Sequence, residues 1–431
     1  MGEQIPRRHF LEGAAAATLV AAALASGRRL SAAEGEPVKE ADELPMHEVK
    51  LGLIGAGMWG KEIARSLSHT PNITLKTVCD SAPTEKAKVE KVAPKAEFVD
   101  EYKKVLDDKA IQGVIIATPT YLHKQIVLDA IAAGKHVYCE APLAVTMEDL
   151  VAICQAAREA QVVFQPGLQR RCHPLTKRVK SATVDGSIKQ AVLLRSQARQ
   201  RVNWMRAGAT PERAKERSWQ AYWETSLGPI GELGIHQIDV ANWWLGSKPK
   251  TINGFGAQTT WAENGMEVPD TTMVTFGGYN ADARAVVEST VGSSHWGNAE
   301  ELVGTDATVL FRDDNEKTLG YLFKEPGTAS AGWEVYAKKA DVLGELGIIM
   351  VATPPGGFSI EKIESGHMGI MEPLYYALGS FAKRIDLNDP AEKPLVTWQK
   401  AFEANVIAIK AAQAAKDGKT VELTAADFKL A

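Results

Sequence analysis

Val49-Lys50-Leu51-Gly52-Leu53-Ile54 runs directly into Gly55-Ala56-Gly57-Met58-Trp59-Gly60, and a helical pattern through Ala64 and Leu67 follows. An apolar strand, a GxGxxG turn and a helix in that order predict the opening unit of a dinucleotide-binding domain. Each glycine has its own reason. Gly55 permits the tight turn, Gly57 has no Cβ to obstruct a pyrophosphate, and Gly60 lets the helix pack closely on its strand. The helix N-terminus then presents unpaired N–H groups to the phosphates.

Working outward, a second strand, Ile73 to Cys79, ends at Asp80, placed to accept hydrogen bonds from the adenosine ribose hydroxyls. An acid there favours NAD over NADP, although Ser81 and Lys86 follow and can hold a 2′-phosphate if Asp80 turns away. A third strand, Gly113 to Ala117, leads into Thr118-Pro119-Thr120-Tyr121-Leu122-His123, and a fourth, His136 to Cys139, into Glu140-Ala141-Pro142-Leu143. Both turns fall at C-terminal ends of strands, where open α/β sheets bind ligands. The expected cofactor-facing set is Gly55, Gly57, Met58, Trp59, Gly60, Asp80, Thr118, Pro119, His123 and Glu140. For His123, facing the nicotinamide and capping a local turn are equally open.

The chain has 431 residues, 45% hydrophobic and 24% charged, which fits two domains and excludes disordered, collagen-like and multi-span membrane classes. A net charge of -4 gives no sign of nucleic-acid binding. The four cysteines, Cys79, Cys139, Cys154 and Cys172, form no CxxC pair and read as buried thiols. Ahead of the first strand, Pro6-Arg7-Arg8-His9-Phe10-Leu11 precedes an Ala-rich run from Gly13 to Ala25 and a small-residue cleavage site at Ser31-Ala32-Ala33. The run is too short for a stable membrane span. Residues 1–33 therefore read as a removable signal, and 34–46 as a flexible polar linker.

The strings GLIGAGMWG, ATPTYLH, GKHVYCEAPLA, GLQRRCHP and GELGIHQIDVANWWLG, in that order, resemble the Gfo/Idh/MocA oxidoreductase family from about Lys50 to the final helix. The resemblance implies an α/β fold: a Rossmann domain over 47–168, then an α/β substrate and oligomerisation domain over 169–431 with a mixed, largely antiparallel open sheet. It also implies a homodimer or homotetramer. Such proteins carry Glu-Lys-Pro where this chain has Glu140-Ala141-Pro142, so the lysine that normally handles the hydroxyl proton is missing. The family's downstream acid and histidine correspond to Glu232 and His236, with Asp239 three residues on. If 231–245 is one helix, Glu232, His236, Asp239 and Trp243 share a face. His236 is then the expected general base or acid, with Glu232 orienting it. No metal is expected.

Beyond Val163, strands such as Ala191 to Ser196, Thr272 to Phe276 and Arg284 to Val291 replace the βα alternation. Nine of the ten tryptophans lie after residue 200, and sugar rings pack on such side chains. Between Arg170 and Arg217 there are 13 Lys/Arg against three Asp/Glu, an excess suited to an anionic sugar or to a plain solvated face. Arg170, Arg171 and Trp243 are the expected substrate contacts. The stretch Trp398 to Lys416, with Phe402, Val406, Ile409 and Ala412 at helical spacing, should pack back on the core.

The Arg-Arg-x-Phe-Leu core resembles a twin-arginine signal, which implies export to the periplasm by the twin-arginine machinery. Free NAD(P) is not expected to be plentiful there, so the cofactor should be tightly bound and recycled in place. Three readings stay open: a sugar oxidoreductase, a redox-assisted glycosidase or lyase that transiently oxidises its substrate, and a noncatalytic sugar-binding homologue.

Overall fold

Parallel strands covered on both faces read as continuous apolar runs rather than alternating ones. β1 (Val49–Ile54) fits: every residue but Lys50 is buried. In the computed structural model, which describes residues 44–313, 318–330, 337, 339–342, 345–350, 372–388 and 394–430, β1 is central to a six-stranded parallel sheet. The elements are α1 (Met58–Ser68), β2 (Ile73–Cys79), α2 (Lys86–Val92), β3 (Glu97–Val99), α3 (Tyr102–Asp107) and β4 (Gly113–Ile116), then α4 (His123–Ala132), β5 (His136–Glu140), α5 (Met147–Glu159) and β6 (Phe164–Gly167). Their spatial order, β3-β2-β1-β4-β5-β6, reverses direction between β1 and β4 and opens a crevice at the strands' C-terminal ends.

The proposed signal segment lies outside the described residues. The end of the supposed flexible linker is tied down. Leu44 is half-buried and Pro45 buried, and the N–H groups of Met46 and His47 donate to Asp386 Oδ2 at 2.7 and 3.3 Å.

After α6 (Pro174–Ala182) comes β7 (Ala191–Arg199), then α7 (Pro211–Arg217), α8 (Gly228–Glu232), α9 (Ile235–Trp244), β8 (Thr251–Ala257), β9 (Thr271–Gly277) and β10 (Arg284–Thr290). β11 (Asn298–Gly304), β12 (Ala307–Asp313), β13 (Thr318–Lys324), β14 (Lys339–Val342) and β15 (Glu345–Ile349) precede α10 (Glu372–Leu387), α11 (Trp398–Asp417) and β16 (Val421–Glu422). Ten strands form one sheet in the order β14-β15-β13-β12-β11-β7-β10-β9-β8-β16. Only β7 and β10 pair in parallel; the other neighbours are antiparallel. Its inner face alternates in register, as in β9, where Thr272, Val274 and Phe276 are buried and Met273 is exposed.

α11 packs on β8. Gly254 lets it come close, since a Cβ there would lie 3.0 Å from the Ala415 backbone nitrogen. The buried run Ala404, Ala408, Ala411 and Ala415 keeps the helix thin along its length. The four cysteines are buried and free. No helix among the described residues is long and apolar enough to cross a membrane.

Candidate functional site

The glycine-rich turn is shaped as its chemistry requires. Gly55 has φ +99°, a backbone conformation that side chains rarely adopt. A Cβ at Gly60 would collide with the Gly55 carbonyl, so that glycine serves helix-strand packing. A Cβ at Gly57 would meet nothing within 4 Å, so the space beside it is open and available to a ligand. Gly57 is also the N-cap of α1 and supplies no side-chain cap, leaving the N-terminal amides for an anion. Met58 is exposed at the mouth of this cradle, and Trp59 packs half-buried beside it. Asp80 follows β2; its Oδ2 accepts from Ala56 N–H and its Oδ1 from Ala82 N–H, both at 2.9 Å. The acid thus braces the turn and retains lone pairs for a ribose. These residues fit a dinucleotide.

Thr118 lies just past the end of β4, and Glu140 is the last residue of the neighbouring strand β5. Thr118 Oγ1 and Glu140 Oε1 are buried with no hydrogen-bond partner among the described residues. Burial pushes the Glu140 carboxyl up to about 8, against a smaller opposing hydrogen bond from the Trp59 side chain. Pro119 opens the short turn Thr120–Leu122. His123, by contrast, is turned into the protein: Nε2 lies 3.0 Å from the Thr118 carbonyl and Nδ1 3.3 Å from that of Leu143. Burial holds it down at about 4. Of its two readings, the geometry matches the turn-bracing one.

The expected continuous helix over 231–245 is interrupted. α8 ends at Glu232, α9 starts at Ile235, and Leu233 and Gly234 lie between them. Gly234 lies in this break, at a close approach where a Cβ would sit 2.5 Å from the Ile230 carbonyl. Glu232 consequently does not orient His236 by a hydrogen bond. Its Oε2 accepts from the Thr120 hydroxyl at 3.1 Å, and its Oε1 from the Ser226 hydroxyl at 3.1 Å and Leu227 N–H at 3.2 Å. Burial raises this carboxyl to about 7. His236 is half-buried. Its Nδ1 is sealed from solvent and unpartnered among the described residues, and burial together with the Arg170 charge pushes it down to about 3. It is therefore a neutral imidazole across the physiological range.

Three expected site residues are structural instead. Asp239 is locked to Arg171: Nε reaches Oδ1 and Oδ2 at 2.9 and 2.7 Å, and Nη2 reaches Oδ1 at 2.7 Å. Arg170 is held by both carboxylate oxygens of Glu300, with Nη2 to Oε2 at 2.6 Å. All four side chains are buried, and their charges are paired inside the fold. A buried charge needs a partner, and each basic residue of the GLQRR segment found one inside the fold. Trp243 is covered on one face by Arg171, whose guanidinium carbon sits 4.9 Å from the ring centroid.

Sequence reading passed over Gln169, Thr120 and Asn405. Gln169 Oε1, just past β6, is another buried unpartnered oxygen. Asn405 was detectable as the one polar side chain on the apolar stripe of α11, between Phe402 and Val406. Thr118 Oγ1, Glu140 Oε1 and Gln169 Oε1 thus sit at or just past the C-terminal ends of β4, β5 and β6, and α9, which carries His236, packs on the 169–172 turn.

Residues 49–168 match the family model described as "Oxidoreductase family, NAD-binding Rossmann fold", and residues 177–310 match the "GFO/IDH/MocA C-terminal domain". A levoglucosan dehydrogenase of Pseudarthrobacter phenanthrenivorans is 25% identical over 358 residues, covering 75% of this chain and 88% of that protein. An inositol 2-dehydrogenase of Salmonella typhimurium is 30% identical over 207 residues, 47% of this chain and 56% of its own. A 2,7-anhydro-N-acetylneuraminate hydratase of Escherichia coli is 29% identical over 209 residues, 48% of this chain and 52% of its own. The chain thus spans little more than half the length of the last two. The solved structure of a levoglucosan dehydrogenase complexed with NADH and levoglucosan shares the fold at 20% identity, with a TM-score of 0.68 over 88% of this chain and 100% of that one.

Proposed function

This chain belongs to the Gfo/Idh/MocA oxidoreductase family, and from that premise we propose that it oxidises or reduces a CH–OH group of a sugar or cyclitol with a tightly held, internally recycled NAD(P). One observation carries the reading. Three buried, unpartnered oxygens, on Thr118, Glu140 and Gln169, stand at the C-terminal ends of adjacent strands of the sheet whose β1 ends in the glycine turn, where the space beside Gly57 is open. Buried polar atoms ordinarily have partners, and a ligand with several hydroxyls supplies them here.

When bound, the dinucleotide supplies hydride acceptance and donation. Gly55, Gly57 and Gly60 shape its pyrophosphate site, and Asp80 meets the adenosine ribose, favouring NAD. His236, neutral above about pH 3, is available to accept a hydrogen bond from the reacting hydroxyl. Glu140, protonated below about pH 8, donates a hydrogen bond from its carboxyl to a ligand oxygen and takes over part of what a lysine at Ala141 would do. Thr118 and Gln169 orient the remaining hydroxyls. Glu232 holds the Thr120 turn against α8 and so keeps His236 in place.

The absence of a lysine at Ala141, together with the hydratase among the relatives, favours a second reading: transient oxidation that permits elimination or hydration without net redox change. The proposal includes export through the twin-arginine route, from the Arg7-Arg8 motif, and a homodimer or homotetramer. The oligomer is supported by exposed Phe255 and Met273, cross-strand neighbours on the open face of the ten-stranded sheet.

The test is to denature the purified protein, identify any released dinucleotide by absorbance and mass, and assay the intact protein on levoglucosan, myo-inositol and a glycoside panel. Stoichiometric NAD(H) with paired oxidation and reduction supports the oxidoreductase. Net cleavage or hydration without redox supports the second reading. A protein that neither contains nor takes up NAD(P) overturns both.

A further inference from the structure

Leu143 and Ala144 follow the Glu140-Ala141-Pro142 turn, belong to no helix or strand, and are each only 1% exposed. Buried backbone groups outside secondary structure need partners from elsewhere. Asn405 provides three of them. Its Oδ1 accepts from Leu143 N–H at 2.7 Å and Ala144 N–H at 3.1 Å, and its Nδ2 donates to the Ala144 carbonyl at 3.0 Å. The fourth group, the Leu143 carbonyl, faces His123 Nδ1 at 3.3 Å, and the same ring's Nε2 faces the Thr118 carbonyl at 3.0 Å. Asn405 thus satisfies three of the four polar groups of this backbone, and the His123 ring, which donates from one nitrogen at a time, sits between the turn after β5 and the turn after β4. Those are the turns that carry Glu140 and Thr118.

Asn405 is itself 1% exposed and is fixed by buried Phe402 and Val406 on the same helix, so it acts as a rigid support rather than a tether. In a sheet of this strand order, the adenosine half of a dinucleotide lies over β1 and β2, near Asp80, and the nicotinamide half over β4 and β5. From this geometry we propose that Asn405 is a positioning residue: through Leu143 and Ala144, with His123 as second support, it sets where the nicotinamide ring lies against Glu140 and Thr118, without touching the dinucleotide. The proposal rests on the dinucleotide-binding reading above. It assigns the last long helix a role in the alignment of hydride transfer, separate from cofactor affinity.

NADH is the probe, titrated into the full-length protein after removal of any bound dinucleotide. In Asn405→Ala, NADH affinity stays at the wild-type level, because the pyrophosphate cradle and Asp80 are untouched. The emission maximum and lifetime of the bound nicotinamide shift towards those of free NADH. Asn405→Asp keeps the acceptors for both amides and recovers part of the signal. Val406→Ala is the control: it loosens the same helix next door without touching Leu143 or Ala144, and it leaves the emission as in wild type while lowering thermal stability. Wild-type emission in Asn405→Ala, or an equal loss in Val406→Ala, overturns the proposal. If Asn405→Ala does not accumulate as folded protein, Asn405→Asp against Val406→Ala decides by the same criterion. A wild-type protein that cannot take up NADH overturns the dinucleotide reading itself, an outcome distinct from unaltered emission in the variant.

Discussion

The guanidinium of Arg171 grips both carboxylate oxygens of Asp239 at 2.7 to 2.9 Å, and the two side chains are buried together. Removing one partner strands the other's charge in a low-dielectric interior. Arg171→Ala should therefore cost about 3–5 kcal/mol of stability, whereas Arg171→Met with Asp239→Leu should cost much less. Denaturant unfolding of the two variants checks this. Equal losses would mean that packing against Trp243, not charge, dominates.

Gly57 and Gly60 sit three residues apart in one motif and should fail in opposite ways. At Gly57 an added side chain meets no protein atom within 4 Å, so Gly57→Val should unfold at the wild-type apo temperature yet lose NADH binding. Gly60→Ala drives a Cβ into the Gly55 carbonyl and should lower the unfolding temperature before any ligand is added. Differential scanning fluorimetry with and without NADH separates the two effects.

His236→Ala should cut turnover by about tenfold, the loss of one hydrogen bond to the reacting hydroxyl, while the bound dinucleotide remains. Since burial holds His236 near 3, protonation of this imidazole does not shape the activity profile above about pH 4. A limb near pH 7 belongs to Glu232, raised to about 7. Its ionised form is the better acceptor for Thr120, Ser226 and Leu227, so activity should rise with pH through that value. The limb should be absent in Glu232→Gln; a limb that persists there removes Glu232 from this role.

Glu140 gives a stability signature in the dinucleotide-free protein. Its carboxyl is raised from 4.5 to about 8, so between those values the folded state holds a proton that the unfolded state releases. The contribution is fully present below pH 4.5 and is lost as pH climbs through 8. Glu140→Gln lacks that loss. Relative to wild type, the variant should gain stability on going from pH 5 to pH 9, by something on the order of a few kcal/mol. Parallel curves for the two proteins would show that the carboxyl is already ionised in the fold.

The Rossmann half was legible in the sequence because its signals are local. An apolar run, three glycines and an acid at the next strand's end are all that β1, its turn and Asp80 require. The alternation in β9 and β10 was equally readable. What the sequence does not carry is which side chain meets which across the fold. Helical spacing grouped Glu232, His236 and Asp239, yet the helix is interrupted at Leu233 and Gly234 between the first two, and Arg171, 68 residues away, pairs with the third. The basic excess around Arg170 and Arg171 suggested an anion, but the acids that neutralise them, Glu300 and Asp239, lie on strands and helices far along the chain. Ion pairing has no sequence period.

The bonds from Asn405 to Leu143 span 262 residues, and this has a consequence for the timing of biosynthesis. At ribosomal rates of roughly 5–20 residues per second, Asn405 emerges about 13 to 50 seconds after the backbone it must complete. During that interval the newly made Rossmann half has its glycine cradle but not the support beneath its second ligand-bearing turn. If the Asn405 support is what aligns that turn, the turn reaches its final geometry only once the last long helix has been made.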